Sequence, residues 1–127
     1  MKVKAVIEKG KDGLYAVRSE TRIGRSYMGG FGESVEEAKE DFLESIKDAL
    51  EESKENKEIN IIYSYDIPSF FNYFDFINIS KFAALVGINE SKMRQYKSGL
   101  AHPGEKTTHK ILSTIHKIGH ELSNSTI

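Results

Sequence analysis

Between Ile79 and Ser98 the chain reads ISKFAALVGINESKMRQYKS, two short amphipathic runs on either side of Gly87-Ile88-Asn89. Two helices packed across so tight a turn accept few residue types at the points where they touch. Counting Ile79 as position 1, position 4 must be apolar and is Phe82. Position 5 must be small because the second helix crosses it, and is Ala83. Position 8 is Val86. Position 9 is Gly87, where the turn needs a positive φ. Ile88 at position 10 plugs the turn, and Met93 and Tyr96 face the core from the second helix. Asn89 has the side-chain oxygen that caps a helix start. The pattern is that of a helix-turn-helix, and the outward positions of its second helix are Ser91, Lys92, Arg94, Gln95 and Lys97. These side chains donate to base edges or phosphates, and a glutamine pairs with adenine through two hydrogen bonds. Gln95 is therefore the candidate base reader, with Arg94 and Lys97 as phosphate contacts. The competing reading is an ordinary helical hairpin with a polar face.

A chain of 127 residues holds one ordinary domain or two small ones. Small units bury little of their surface, which favours an oligomer or a partner. Apolar residues make up 39% and charged residues 29%, the balance of a water-soluble globular protein. No apolar run is long enough for a bilayer and the start MKVKAVIEKG has no secretory core, so a cytoplasmic protein without membrane contact is expected. There is no cysteine, which removes disulfides and thiolate chemistry. Charge is uneven. Residues 1–66 hold 11 Lys+Arg against 15 Asp+Glu, a net −4, and residues 67–127 hold 7 against 4, a net +3. The basic half accepts a polyanion that the acidic half repels.

Ahead of the helix pair, residues 2–9 alternate around Val3, Ala5 and Ile7 as a half-buried strand does. Lys9 to Gly13 is a turn, and Leu14 to Ser19 completes a hairpin. Arg22 to Met28 is expected as a third strand with a bulge at Gly24. Gly29-Gly30-Phe31-Gly32 then reads as a flexible turn into a helix. A phosphate cradle or a nucleic-acid clamp is the sharper alternative, but Glu33, Glu36 and Glu37 crowd the helix start and repel an anion. Ser34 and Glu37 form a capping box. Val35, Ala38, Phe42, Ile46, Ala49 and Leu50 make one apolar stripe to about Ser53. The opposite face is acidic, either simply solvated or a docking surface for a basic partner through Glu36, Glu40 and Glu44. Glu58 to Tyr65 alternates as a fourth strand. The expected class is thus α+β, a β-β-β-α-β unit over residues 1–66 followed by an all-α domain over 67–127. The boundary is set at Asp66-Ile67-Pro68.

Ser69 to Phe76 packs five aromatic residues into eight. It is too apolar to stand alone and is expected between domains or in a dimer contact. A last helix from about Glu105 to Ser123 carries Ile111, Ile115, Ile118 and Leu122 on one stripe. His116 and His120 share a face of it, but without a third ligand they read as surface histidines, and no metal or cofactor is expected. No nucleophile sits in a recognisable setting. Glu8 alone cannot supply the convergent carboxylates of two-metal hydrolysis, so no enzyme activity is expected.

Two runs of this chain, GFGESVEEAKEDF and YSYDIPSFFNYFDFINISKFAALVGINESKMRQYKSGLAHPGEK, resemble HicB-type antitoxins of bacterial toxin–antitoxin pairs, and with the β-β-β-α-β order the resemblance covers nearly the whole chain. The Pro-Asp-Leu-Pro-Gly stretch common after the second strand of such proteins is missing here. The resemblance implies a first unit like a partly degraded RNase H fold without catalytic carboxylates. It implies that this unit binds and blocks a small basic HicA-type toxin, an mRNA-cleaving ribonuclease. It further implies that the second domain dimerises, as a homodimer or higher even oligomer, and represses its own operon on double-stranded operator DNA. Two rivals remain at this stage: a ligand-responsive helix-turn-helix transcription factor with a small-molecule-sensing α/β unit, and an enzyme of RNase H descent.

Overall fold

A computed structural model describes residues 1–127. It is mixed α/β, with one four-stranded sheet and five helices. Its contacts divide into two compact units, Met1–Asp75 and Phe76–Ile127.

The first unit opens with the hairpin of β1 (Lys2–Lys9) and β2 (Tyr15–Ser19), antiparallel with Ile7 opposite Val17. Val3, Ala5 and Ile7 alternate inward as their spacing predicts, and all three are buried. The next strand departs from expectation. Residues 22–28 are not a strand. Gly24 sits at φ 60 and turns the chain, leaving only a bridge between Ile23 and Ser26. Ile23 and Met28 still reach the core, but from a loop. The third strand is the glycine segment itself, β3 (Gly29–Gly32), antiparallel to β2.

Those glycines are needed because a helix lies against them. A Cβ on Gly30 would stand 2.4 Å from the Phe42 backbone nitrogen and 2.5 Å from the Ala38 carbonyl oxygen, and one on Gly32 2.6 Å from the Ala38 nitrogen. Both neighbours belong to α1 (Val35–Ser53). The helix starts where the Ser34 hydroxyl accepts from the Glu37 N–H, 3.1 Å. The Glu37 carboxylate accepts from Glu33 N–H at 2.8 Å, one residue outside the usual capping box. The Val35, Ala38, Phe42, Ile46 and Ala49 stripe is buried against the sheet.

The chain then crosses the sheet and returns as β4 (Asn60–Tyr65), parallel to β1, for a strand order β3-β2-β1-β4. The two outer strands differ. On β3 the outward amides of Gly29 and Phe31 donate to Ser45 Oγ (3.2 Å) and Asp41 Oδ2 (2.9 Å) of α1. On β4, Asn60 and Asp66 donate inward to Met1 and Ile7, which sets the phase and leaves the backbone groups of Ile61, Tyr63 and Tyr65 on an unpaired edge.

Pro68 does not mark a linker. It sits in the first turn of α2 (Ile67–Tyr73), where a missing N–H costs nothing. Asp66 caps this helix through Ser69 N–H and also accepts from Lys9 N–H on β1, at 2.9 and 3.0 Å. Asn72 Oδ1 accepts from Val35 N–H at the head of α1, 2.9 Å. These bonds hold α2 to the first unit, which therefore ends at Asp75 rather than at Asp66. The aromatic segment surrounds Tyr65, whose ring centre lies 5.9 Å from Phe70, 6.3 Å from Tyr73 and 5.8 Å from Phe74.

The second unit contains α3 (Ile79–Val86), α4 (Glu90–Ser98) and α5 (Glu105–Ser123). Its buried apolar residues are Ile79, Phe82, Ala83, Val86, Met93, Tyr96 and Ile111. No helix of the chain is long and apolar enough to cross a membrane.

Candidate functional site

The helices α3 and α4 are each started by short-range chemistry. Asn78 Oδ1 accepts from Lys81 N–H (3.0 Å) and Asn89 Oδ1 from Lys92 N–H (3.3 Å), so each helix has a side-chain N-cap. Between them Gly87 takes φ 85, and the amides of Gly87 and Ile88 both donate to the Ala83 carbonyl. Phe82, Ala83, Val86, Met93 and Tyr96 are buried and Ile88 is half-buried, while Gly87 lies exposed in the turn.

With Met93 and Tyr96 inward, a 100° step per residue brings Ser91, Arg94, Gln95 and Ser98 to the outward face of α4, with Lys92 and Lys97 on its two flanks. Ser91, Lys92, Arg94 and Lys97 are exposed and Gln95 is half-buried. Ser98 shares this face and is absent from the residues singled out by sequence; its spacing from Ser91 and Gln95 is the signal that would have found it.

Arg94 is not a free cation. Its Nη2 lies 2.7 Å from Glu90 Oε1 and 3.3 Å from Ser80 Oγ, and the Ser80 hydroxyl itself donates to Glu90. The hydrogen bond from Ser80, then that from Arg94, hold the Glu90 carboxyl below the usual glutamate range. This exposed trio links α3 to α4 and orients Arg94 along the helix. Lys92 Nζ lies 5.7 Å from the centre of the Tyr96 ring. Lys97 makes no ion pair.

Charge separates more sharply between the units seen in the structure than between the two halves read from sequence. Residues 1–75 hold 11 Lys+Arg against 16 Asp+Glu, a net −5, and residues 76–127 hold 7 against 3, a net +4. The apolar stripe of α5 is only partly covered. Ile111 is buried and Ile115 and Ile118 are half-buried, but Leu122 is 65% exposed, and Leu112, to one side of the stripe, is 47% exposed. The α5 histidines His109, His116 and His120 are exposed, with the His120 ring hydrogen-bonded to Asn124.

In the first unit Glu36, Glu40 and Glu44 are exposed at four-residue spacing along α1 and enter no ion pair. The glycine segment offers no anion cradle, because its outward amides are already bonded to Asp41 and Ser45. The sheet face turned away from α1 carries Phe31 (69% exposed) and Ile62 (44%) beside Lys4, Glu8 and Arg18. Arg18 bridges Glu8 and Glu20 at 3.5 and 3.9 Å.

A feature not legible in the sequence lies at the border of the α1 stripe. Lys39 Nζ stands 4.3, 5.0 and 3.4 Å from the ring centres of Tyr63, Tyr65 and Tyr73, and is hydrogen-bonded to the Tyr65 hydroxyl. No carboxylate pairs with it. Burial lowers its pKa to about 8, and burial followed by the neighbouring phenols raises that of Tyr65. Three rings from β4 and α2 converge on a residue of α1, so spacing within any one element gave no sign of them. Its place three residues before Phe42, on the flank of the stripe, is the only local hint.

No protein-family model, curated protein or solved structure matches this chain.

Proposed function

We propose that this chain is an antitoxin of the HicB type, whose second unit is a helix-turn-helix that reads operator DNA and whose acidic first unit, a reduced RNase H-like fold, holds and blocks a small basic HicA-type ribonuclease. The observation that carries the reading is the α3–α4 pair. Its two Asn caps, positive-φ Gly87 and buried Phe82, Ala83, Val86, Met93 and Tyr96 support a rigid turn that presents Ser91, Arg94, Gln95 and Ser98 outward, with Lys97 on the flank, from a basic unit. The half-covered stripe of α5 supports a homodimer, in which two α4 helices would read half-sites ~34 Å apart. The exposed Glu36, Glu40 and Glu44 support a basic protein partner by charge.

The test is a gel-shift titration of the full chain on the DNA upstream of its own gene. Wild type binds and retards that fragment. Gln95→Ala relaxes sequence preference, each lost bidentate pair being worth about 1–3 kcal/mol. Lys97→Ala weakens binding evenly and lowers the salt slope by about 1. Absence of any retardation by wild type removes the DNA half of the proposal. Co-expression with the adjacent gene product tests the other half: rescue from toxicity and a co-purifying complex support it.

The second reading, a ligand-responsive transcription factor, draws on one cleft of the first unit. It measures about 310 Å³ and is lined by Ile23, Arg25, Ala49, Glu52 and Glu55 among others, the lower end of the size range for ligand sites. DNA binding without rescue or complex formation would favour this reading.

A further inference from the structure

We propose, resting on the DNA-reading role given to α4 above, that Arg94 selects a guanine–cytosine base pair instead of gripping a phosphate, and that Glu90 is the positioning residue that holds its guanidinium for that contact. Three observations converge. The first is the bond pattern. Arg94 Nη2 donates to Glu90 Oε1 at 2.7 Å and to Ser80 Oγ at 3.3 Å, and the Ser80 hydroxyl donates to the same carboxylate. Glu90 starts α4 and Ser80 lies in α3, each helix with an asparagine cap, so the guanidinium is tied to both sides of the turn. Both bonds use Nη2, which leaves the hydrogens of Nε and Nη1 for a ligand. The second is place. Arg94 shares the outward face with Ser91 and Gln95, while Lys92 and Lys97 lie on the flanks. In a major groove the outward face of a helix meets base edges and its flanks meet the phosphate walls. Glu90 lies one turn before Arg94 and toward the Lys97 flank, which puts its carboxylate on the wall side of Arg94. The third is charge. The two side chains are 57% and 50% exposed, and an ion pair in water adds little to stability. Its consequence is orientation. It also offsets the charge of Arg94, so a phosphate facing the pair meets little net attraction.

The pair matches one pattern in the groove. Guanine offers two acceptors, N7 and O6, and its cytosine a donor, the N4 amino group. Arg94 brings donors, and Glu90 Oε2, which takes no bond within the chain, brings an acceptor beside them. An adenine–thymine pair sets a donor where guanine has O6 and an acceptor, O4, where cytosine has its donor. Thymine O4 would then face a carboxylate. The planar guanidinium is held before DNA arrives, so little of its freedom remains to be lost on binding.

Two variants separate this contact from a phosphate contact. Lysine serves a phosphate as a point charge but lacks the planar fork. Arg94→Lys should therefore keep the salt dependence of binding and lose the base-pair preference. Glu90→Gln keeps an acceptor but removes the charge that offsets Arg94. The salt slope should then steepen by about 0.9 for each recognition helix bound, and affinity for unrelated DNA should rise. The preference should fall at the same time. A residue with only a structural role would lower specific and unrelated binding together.

The experiment selects duplexes from a random DNA pool with the full chain and sequences the retained fraction. The enriched site and its single-base-pair variants are then titrated from about 50 to 200 mM salt. Wild type should enrich a site in which one guanine–cytosine pair, replaced by adenine–thymine, weakens binding about 5–150-fold. Arg94→Lys should bring that ratio to about 1 at an unchanged salt slope. Glu90→Gln should lower the ratio and steepen the slope. A full ratio retained by Arg94→Lys, an unchanged slope in Glu90→Gln, or an enriched site that tolerates adenine–thymine throughout would overturn the proposal and leave α4 a DNA reader. If wild type enriches no sequence, the DNA-reading role itself fails and this proposal falls with it.

Discussion

Replacing Gly30 with alanine adds a single methyl group at the tightest contact of the first unit. That carbon would lie 2.4 Å from the Phe42 nitrogen, 2.5 Å from the Ala38 oxygen and 2.9 Å from the Phe42 Cα, where ordinary contact begins at 3.4 Å. All three obstacles are backbone, so no rotamer change relieves them. The helix must withdraw by ~1 Å. A gap of that size forfeits a quarter to a half of each dispersion contact it opens. Val35, Ala38 and Phe42 are fully buried along this line, and Ile46 and Ala49 are 5% exposed. Overpacking in cores commonly costs 1–3 kcal/mol, and an obstacle made of backbone belongs at the upper end, about 3 kcal/mol. A unit the size of Met1–Asp75 has ~4–11 kcal/mol of stability in all. The transition of that unit should therefore fall by roughly 12–24 °C. Urea and thermal unfolding of the full chain, followed by far-UV circular dichroism, reads this directly. Gly119→Ala is the matched control, since Gly119 lies inside α5 with open space around it; there the same methyl group should stabilise by ~1 kcal/mol. If Gly30→Ala unfolds within ~0.5 kcal/mol of wild type, the close approach of β3 and α1 does not set the packing of the unit.

Lys39→Met tests the tyrosine cage through pH. The folded pKa of about 8 lies below the ordinary lysine value, so the unfolded chain holds more protons and stability rises from about pH 8 upward. Tyr15, Tyr63 and Tyr65 have raised values, so above about pH 10 the unfolded phenols ionise first and stability falls. Thermal melts should show wild type gaining on Lys39→Met between pH 8 and 10, and parallel curves would reject the assignment. Asp66→Ala removes the acceptor for both Ser69 N–H and Lys9 N–H and should cost ~1–2 kcal/mol in urea unfolding, with faster amide exchange at those two residues. Met93→Ala empties a fully buried site of the second unit and should cost ~2–5 kcal/mol, read by the same denaturation.

The elements visible in the sequence are those whose own side chains carry the period. The β1–β2 hairpin, the α1 stripe and the seven packing positions of the α3–α4 turn all declare themselves through residues three, four or two apart. Where the structure departs, the cause lies elsewhere in the chain. Gly29–Gly32 has no strand pattern; it is a strand because α1 needs the missing Cβ atoms and because Asp41 and Ser45 supply acceptors for its outward amides. Ile23 and Met28 suggest a strand by composition, but a φ of 60 at Gly24 bends the backbone between them. Pro68 looks like a boundary until Asp66 and Asn72 are seen binding its helix to β1 and α1. At the candidate interface, spacing identified Ser91, Arg94 and Gln95 on the outward face of α4 but set the flanking Lys92 and Lys97 there too and passed over Ser98, and the engagement of Arg94 by Glu90 and Ser80 depends on α3 lying beside it. The tyrosine cage is assembled from three elements and has no local signature.

The unequal edges of the sheet set a limit on how copies of this chain can polymerise. The β3 amides are already bonded within the chain, so a strand arriving there finds a terminated end. Only β4 can template another strand. Two copies joined through β4 would therefore present closed ends on both sides. Growth would halt at the first pairing, which gives the fold protection from fibril elongation without a charged or proline-bearing guard on β4 itself.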